Sequence, residues 1–169
     1  TTEEALITSD TLFVQAATAA TLRTDVNHAD VRLSSSGSIT LTADNGIELT
    51  YLRAADGSIN VTSHGDLVAT DVATLGISDA NDITLTTRDP DDGDPLTANL
   101  DLGTLSAGGR GDVVLDVEGA ITHTAGSVTA DMADVAVESA LTIRTQVDFL
   151  TIETKGTGDV NVTQLGIDA

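Results

Sequence analysis

The sequence predicts an all-β protein, a parallel β-helix (β-solenoid) of about seven coils, each with about 24 residues and three short strands. Two observations carry this prediction: a six-residue phrase that returns along the chain, and an aromatic content of only 2%. The phrase is a turn residue, a small polar residue, and then alternating apolar and polar residues. Alternation with a period of two, carried by β-branched residues, is typical of a half-buried strand.

The phrase is clearest at 37–42, where it reads Gly-Ser-Ile-Thr-Leu-Thr. Further copies, some of them looser, begin at positions 57, 81, 111, 133 and 158. A shift of 121 residues superimposes 140–147 on 19–26 with five identities and places a seventh copy at 12–17. Because two more short strands fit between consecutive copies, each interval is predicted to be one coil.

Stacking the copies predicts which side chains face inward. The first inward column consists of β-branched aliphatic residues: Val14, Ile39, Ile59, Ile83, Val113, Val135 and Val160. The outward column between the inward positions is mostly polar: Gln15, Thr40, Asn60, Thr84, Val114, Ala136 and Asn161. Since rings that usually fill irregular gaps are scarce, the core is predicted to be narrow and regular.

The charge excludes several classes of partner. The chain carries 27 acidic and 7 basic residues, a net charge of −20. Nucleic acids and anionic membranes need clustered Lys and Arg, so neither is an expected partner. No apolar run approaches the roughly 18 residues of a membrane span, and the residue pattern does not predict a signal peptide. An acidic surface favours solubility in salty surroundings and can bind divalent cations. Cysteine is absent, which removes disulfides and thiolate metal sites.

The chain 1–169 is predicted to be a single β-helix segment. No amphipathic capping helix is evident at either end, which indicates a piece of a longer repetitive chain or a subunit whose ends pair with other copies. One stretch interrupts the rhythm: 88–95 contains two prolines and four aspartates. Because proline cannot occupy a central strand, this stretch is predicted to be a protruding acidic loop.

This loop carries the candidate metal ligands. Hard cations such as Ca²⁺ prefer several carboxylates on one flexible loop. The four candidates are Asp89, Asp91, Asp92 and Asp94. The spacing does not fit an EF-hand, because position six from Asp89 is not Gly and position twelve is Leu100. The loop is therefore either a calcium site or a solvated acidic insertion.

Other short motifs have simpler interpretations. The integrin-binding tripeptide Arg-Gly-Asp occurs at 110–112, but its Gly-Asp is also the ordinary opening of a coil. The three histidines do not share metal-ligand spacing and are interpreted as turn or surface residues: His28, His64 and His123. Arg23 and Arg144, equivalent under the 121-residue shift, are interpreted as ion-pair partners of nearby aspartates.

The chain resembles the repeats of filamentous-haemagglutinin-like bacterial surface exoproteins. The resemblance lies in Gly-Ser-Ile-Thr-Leu-Thr-Ala at 37–43, Thr-Ala-Asp-Met at 129–132, Arg-Thr-Gln-Val at 144–147 and Gly-Asp-Val-Asn-Val-Thr at 158–163. It covers nearly the whole chain and implies a right-handed parallel β-helix that projects a protein from the cell. The Asn-Pro motifs of the family's secretion domain are missing, so the resemblance implies a shaft segment only.

The expected function is therefore a structural module of a large extracellular or cell-surface adhesin or filament, acting as a rigid shaft for adhesion or cell–cell contact. The expected partners are neighbouring repeats, end-to-end copies, or a host-cell or carbohydrate receptor. The chain is not expected to be an enzyme, because acid/base clusters and sugar-stacking rings are scarce. The alternatives are a polysaccharide-degrading enzyme or carbohydrate-binding module on a β-helix, and an ice-binding protein with stacked Thr-x-Thr strands.

Overall fold

The computed structural model describes residues 5–90 and 97–166, which form β-strands and no helix. No helix that could cross a membrane is thus found among them. The strands are β1 (Leu6–Ala16), β2 (Ala20–Leu33), β3 (Ile39–Ala43), β4 (Ile47–Ala54), β5 (Ile59–His64), β6 (Leu67–Thr74), β7 (Ile83–Arg88), β8 (Leu100–Ser106), β9 (Val113–Val117), β10 (Ile121–His123), β11 (Val128–Val137), β12 (Leu141–Thr154) and β13 (Val160–Gln164).

All the strand pairings are parallel, which confirms the predicted parallel β-helix. The strands follow the order β1-β2-β3-β5-β7-β9-β11-β12-β10-β8-β6-β4, with β13 on β12. Additional pairings join β2 to β4 and β11 to β8, because the long strands bend around a corner and contribute to more than one side. The result is a solenoid of about eight turns.

Each turn has three sides, which we number in chain order. Side 1 contains β3, β5, β7, β9 and the stacked parts of β1, β2, β11 and β12. Side 2 contains β10, β13, the first halves of β4 and β6, and the stacked parts of β1, β2, β8 and β12. Side 3 contains the second halves of β4 and β6 together with the stacked parts of β1, β2, β8, β11 and β12.

The core is a set of aliphatic columns that run along the solenoid. In β3, β5 and β7 every second residue is buried, and the residues between are half-buried or exposed. Ile39, Ile59, Ile83 and Val113 pair in this order on side 1, and none exposes any surface. This confirms the predicted inward column in its central turns. No turn could bury its apolar face alone, so each depends on its neighbours.

Buried hydroxyls occupy positions where the core meets a corner. Ser63 Oγ donates to the carbonyl oxygen of Asn45 at 3.0 Å. Thr87 Oγ1 donates to the carbonyl oxygen of Ala98 at 2.7 Å. Because these bonds satisfy carbonyls that leave the strand ladder, the corners stay closed without exposed polar backbone.

The predicted alignment is wrong at both ends of the chain. Val14 pairs with Val31 on side 3, and Val160 pairs with Leu141 on side 2, so neither stacks in the column of Ile39. Arg23 and Arg144 therefore lie on different sides and are not equivalent. All three sides use the same alternating phrase, and the sequence pattern alone does not distinguish one side from another.

A second correction concerns the register within side 1. Val113 pairs with Ala133, and Val135 pairs with Leu115, a slip of two residues from the predicted alignment. A slip of two keeps every inward residue inward, so the pattern permits it.

Turn length also differs from the prediction. The column through Ile7, Thr24, Ala43, Ser63, Thr87, Val117, Val137 and Thr154 spans eight turns. Its members are separated by 17, 19, 20, 24, 30, 20 and 17 residues. Most turns are thus shorter than the predicted mean of about 24 residues, because two of the predicted copies begin on other sides.

Candidate functional site

The predicted calcium loop lies mostly outside the described residues. Asp91, Asp92 and Asp94 are among the residues 91–96 that the structure does not describe. Asp89 Oδ2 accepts hydrogen bonds from the backbone N–H and the Oγ1 hydroxyl of Thr97, each at 3.2 Å. Asp89 thus ties together the two ends of this segment. Within 5–90 and 97–166, no group of three or more His, Asp or Glu is arranged to hold a metal. Calcium binding stays a prediction.

A ladder of charged side chains begins beside Asp89. It is formed by Arg88, Asp116, Glu118, Glu138 and Lys155. Arg88 pairs with Asp116 and lies 3.7 Å from Glu118. Lys155 Nζ lies 3.3 Å from Glu138 and 3.9 Å from Asp116. The ladder links four consecutive turns and has a net charge of −1. Because its members are a quarter or more exposed, each pair contributes only about 0–1 kcal/mol.

The other predicted ion pair is present at Arg23. Its Nη2 lies 2.8 Å from Asp44 Oδ2, and this contact lowers the pKa of the Asp44 carboxyl. Arg144 forms no ion pair with a residue that the structure describes. Its backbone N–H instead donates to His123 Nδ1 at 3.1 Å.

The three histidines lie apart, in different turns. His28 Nδ1 is 3.2 Å from Glu48, and His64 Nδ1 is 3.1 Å from the carbonyl oxygen of Ala43. His123 pairs with the buried Leu102 on side 2, and its Nε2 is buried and makes no well-aligned hydrogen bond with the residues that the structure describes. Burial lowers the pKa of His123, so the neutral imidazole is the form that suits the fold.

We expect acid to destabilise the solenoid through His123. Since its folded pKa is below its unfolded value of about 6.5, its contribution is present above that value and is lost as pH falls through the folded pKa. His123→Gln keeps an acceptor for Arg144 but cannot titrate. The melting temperature of this variant should fall less than that of the wild type between pH 7.5 and 4.5. His28→Gln, on the surface, is the control; an equal fall in wild type and His123→Gln would contradict the prediction.

In the Arg-Gly-Asp tripeptide, Asp112 forms hydrogen bonds to the turns on both sides of it. Asp112 donates its backbone N–H to Asp82 Oδ1 at 2.9 Å and accepts from the backbone N–H of Met132 at 3.1 Å. Burial raises the pKa of Asp112, and the nearby Asp82 and Asp131 add to the effect. Arg110 alone projects from the surface. This geometry fits a turn-stacking role for the tripeptide.

The stacked threonines form a short array on side 1. Thr40, Asn60 and Thr84 lie in one outward column, and Thr42, Thr62 and Thr86 lie in the next. The following turn contributes Val114 and Asp116. The hydroxyl array is therefore regular over three turns in the second column only, because Asn60 interrupts the first.

The structure also reveals an aromatic–arginine patch that the sequence prediction missed. It consists of Phe13, Asp30, Arg32, Tyr51, Arg53 and Asp71. Phe13 pairs with Asp30, and Asp30 pairs with Tyr51, so the patch crosses consecutive turns. The register shifts after Ala29, because Ala29 pairs with Leu49 and the next pair skips Thr50. Such a bulge re-aims the following side chain, here Tyr51.

Ion pairs and ring contacts fix the geometry of the patch. Arg32 donates through Nε and Nη2 to the two oxygens of Asp30, at 2.8 and 2.6 Å. Its Cζ lies 5.6 Å from the ring centroid of Phe13 and 4.4 Å from that of Tyr51. Arg53 donates to Asp71 at 2.6 Å, and its Cζ is 4.5 Å from the Tyr51 centroid. Two guanidinium groups thus hold one ring, in the geometry of cation–π contacts.

A cleft adjoins the patch. It has a volume of about 490 Å³ and is lined by Gln15, Ala16, Ala17, Arg32, Leu33 and Ser34. Leu33 and the two alanines provide apolar surface, whereas the other three side chains provide hydrogen-bonding groups. The cleft and the patch share Arg32 and so form one continuous surface.

Comparison of the chain with protein-family models, with curated protein sequences and with solved structures finds no match.

Proposed function

We propose that the chain is a structural β-solenoid module of a large extracellular or cell-surface adhesin or filament. In this role it is a rigid, non-catalytic shaft for adhesion or cell–cell contact. The observation that carries the proposal is the continuous strand pairing from β1 to β13, with the same aliphatic columns through successive turns. Such a structure holds its two ends at a fixed separation because every turn is hydrogen-bonded to the next.

The proposal also states what lies against the first and last described strands. In β13, Val160 and Val162 expose 48% and 40% of their surface, although their partners Leu141 and Ile143 are buried. At the other end, Leu6 in β1 is 47% exposed. Unpaired strand edges readily add further strands. In our proposal, neighbouring repeats of the same chain or end-to-end copies cover these edges.

Distances between spin labels test the rigid shaft. The chain lacks cysteine, so labels can be attached at chosen sites. Thr21 and Thr151 are exposed and lie in the same outward column of side 1, six turns apart. With about 4.8 Å per turn, Thr21→Cys and Thr151→Cys should give a narrow distance distribution centred near 29 Å. Double electron–electron resonance spectroscopy measures this distribution.

A third label provides the matched control. Thr84→Cys lies halfway, three turns from each end label. The two half-distances should therefore be similar. A distribution many ångströms wide between Thr21→Cys and Thr151→Cys would overturn the rigid shaft.

Sedimentation at rising salt distinguishes end-to-end copies from neighbouring repeats of one chain. Salt screens the net charge of −20 and so promotes association of separate copies, whereas it has no such effect on repeats that are joined covalently.

A further inference from the structure

We propose that the aromatic–arginine patch and its adjoining cleft bind a neutral, hydroxyl-rich saccharide. This inference deepens the proposed function, on which it rests, by naming the chemistry of the receptor.

The first support is an exposed aromatic platform. Phe13 exposes 58% of its surface, yet Arg32 lies against its ring and restricts it. A pyranose ring has an apolar face of C–H groups, which can cover a flat ring and remove both surfaces from water. Phe149 is even more exposed, at 69%, but no arginine stacks on it within the described residues. Phe13 thus differs from Phe149 by its fixed polar surroundings.

The second support is the pairing of opposite charges. Two arginines and two aspartates give the patch a net charge of zero. The guanidinium groups present fixed donors, and the carboxylates present acceptors. A saccharide hydroxyl both donates and accepts, so it can use either group. Since Asp30 and Asp71 already hold these arginines at 2.6 Å, little side-chain freedom remains to be lost on binding.

The total charge restricts the ligand further. A chain with a net charge of −20 repels polyanions over the range of the Debye length. Cationic ligands are attracted by the whole molecule, but within the patch the carboxylates are already paired with arginine. A neutral ligand is therefore the class that this particular surface selects.

The cleft supplies the remaining contacts. Its volume of about 490 Å³ falls within the range of about 300–1,000 Å³ that is usual for small-molecule sites. Gln15, Arg32 and Ser34 can hydrogen-bond to hydroxyls, and Leu33 and Ala16 can pack against C–H groups. The patch lies mainly on paired strands, and sites on such elements keep their geometry better than sites on loops.

Tyrosine fluorescence provides a direct test. Tyr51 is the single tyrosine and the chain has no tryptophan, so its emission reports on the patch alone. The probes are maltohexaose, cellohexaose and chitohexaose, with decalysine as a cationic peptide. We expect at least one neutral hexasaccharide to change the Tyr51 emission saturably. Phe13→Ala should weaken that binding about tenfold, and Gln15→Ala on the rim should weaken it less.

The matched control is Phe149→Ala, which removes the other exposed phenylalanine and should leave the affinity unchanged. Circular dichroism and melting of each variant establish that the fold is retained. Equal affinity of wild type and Phe13→Ala would overturn the proposed location. Binding of decalysine alone, or of no probe, would overturn the ligand class. The spin-label distances do not depend on any saccharide, so failure of this inference and failure of the shaft are distinguishable.

Discussion

Replacing Ile59 with aspartate is expected to unfold the solenoid or to drive it into aggregates. Ile59 exposes no surface and lies in the side 1 column between Ile39 and Ile83. A carboxylate there would be buried without a partner, a lesion that costs about 3–5 kcal/mol. Because whole domains are stable by only about 5–15 kcal/mol, urea denaturation of Ile59→Asp should begin at a much lower concentration than that of the wild type.

The control is Thr84→Asp in the next turn. Thr84 pairs with Asn60, the residue after Ile59, and faces outward. An aspartate at this position keeps its hydration, so the denaturation midpoint should change little. Equal damage from Thr84→Asp and Ile59→Asp would show that the two faces of side 1 are not divided as the structure has them.

Replacing Gly37 with alanine is the second change with a large expected effect. A Cβ atom at this position would lie 1.2 Å from the carbonyl oxygen of Thr18 in the preceding turn. The backbone also has a φ of 151°, which residues with side chains rarely adopt. The turns would have to separate at this corner, and we expect a loss of about 2–4 kcal/mol. Thermal melting of Gly37→Ala measures it.

Gly166→Ala is the matched control, because a Cβ atom at Gly166 meets no atom of the described residues within 4 Å, its chain neighbours aside. This variant should melt within a degree or two of the wild type, as exposed substitutions usually do. If Gly37→Ala also melted with the wild type, the corner would not be closely stacked as the structure has it.

The sequence predicts the division between inside and outside better than the register. Ile39, Ile59, Ile83 and Val113 stack as the phrase predicts. Alternation has a period of two, however, so it does not exclude the slip that places Ala133 beside Val113. Nor does it distinguish the three sides, all of which bury alternate aliphatic residues.

The candidate site was harder to predict, because contacts between turns depend on turn lengths. Phe13, Arg32 and Tyr51 are separated by 19 residues each, close to one turn in the first part of the chain. A mean interval of about 24 residues does not bring them together. The bulge after Ala29 also positions Tyr51, and the residue types in β2 and β4 do not predict this bulge. Two of the three aromatic residues, with Arg32 midway between them, are the signal that could have revealed the patch.

The unequal turns have a consequence for how such a protein can change. A turn of 30 residues and a turn of 17 residues each advance the solenoid by one strand spacing, about 4.8 Å. Additional residues are therefore accommodated in the connections between the sides and do not lengthen the solenoid. Side chains at equivalent positions of one side therefore stay about 4.8 Å apart from turn to turn, whatever is inserted between the strands. The segments that connect the sides can thus be exchanged for others of different length while the side chains on the three sides keep their places.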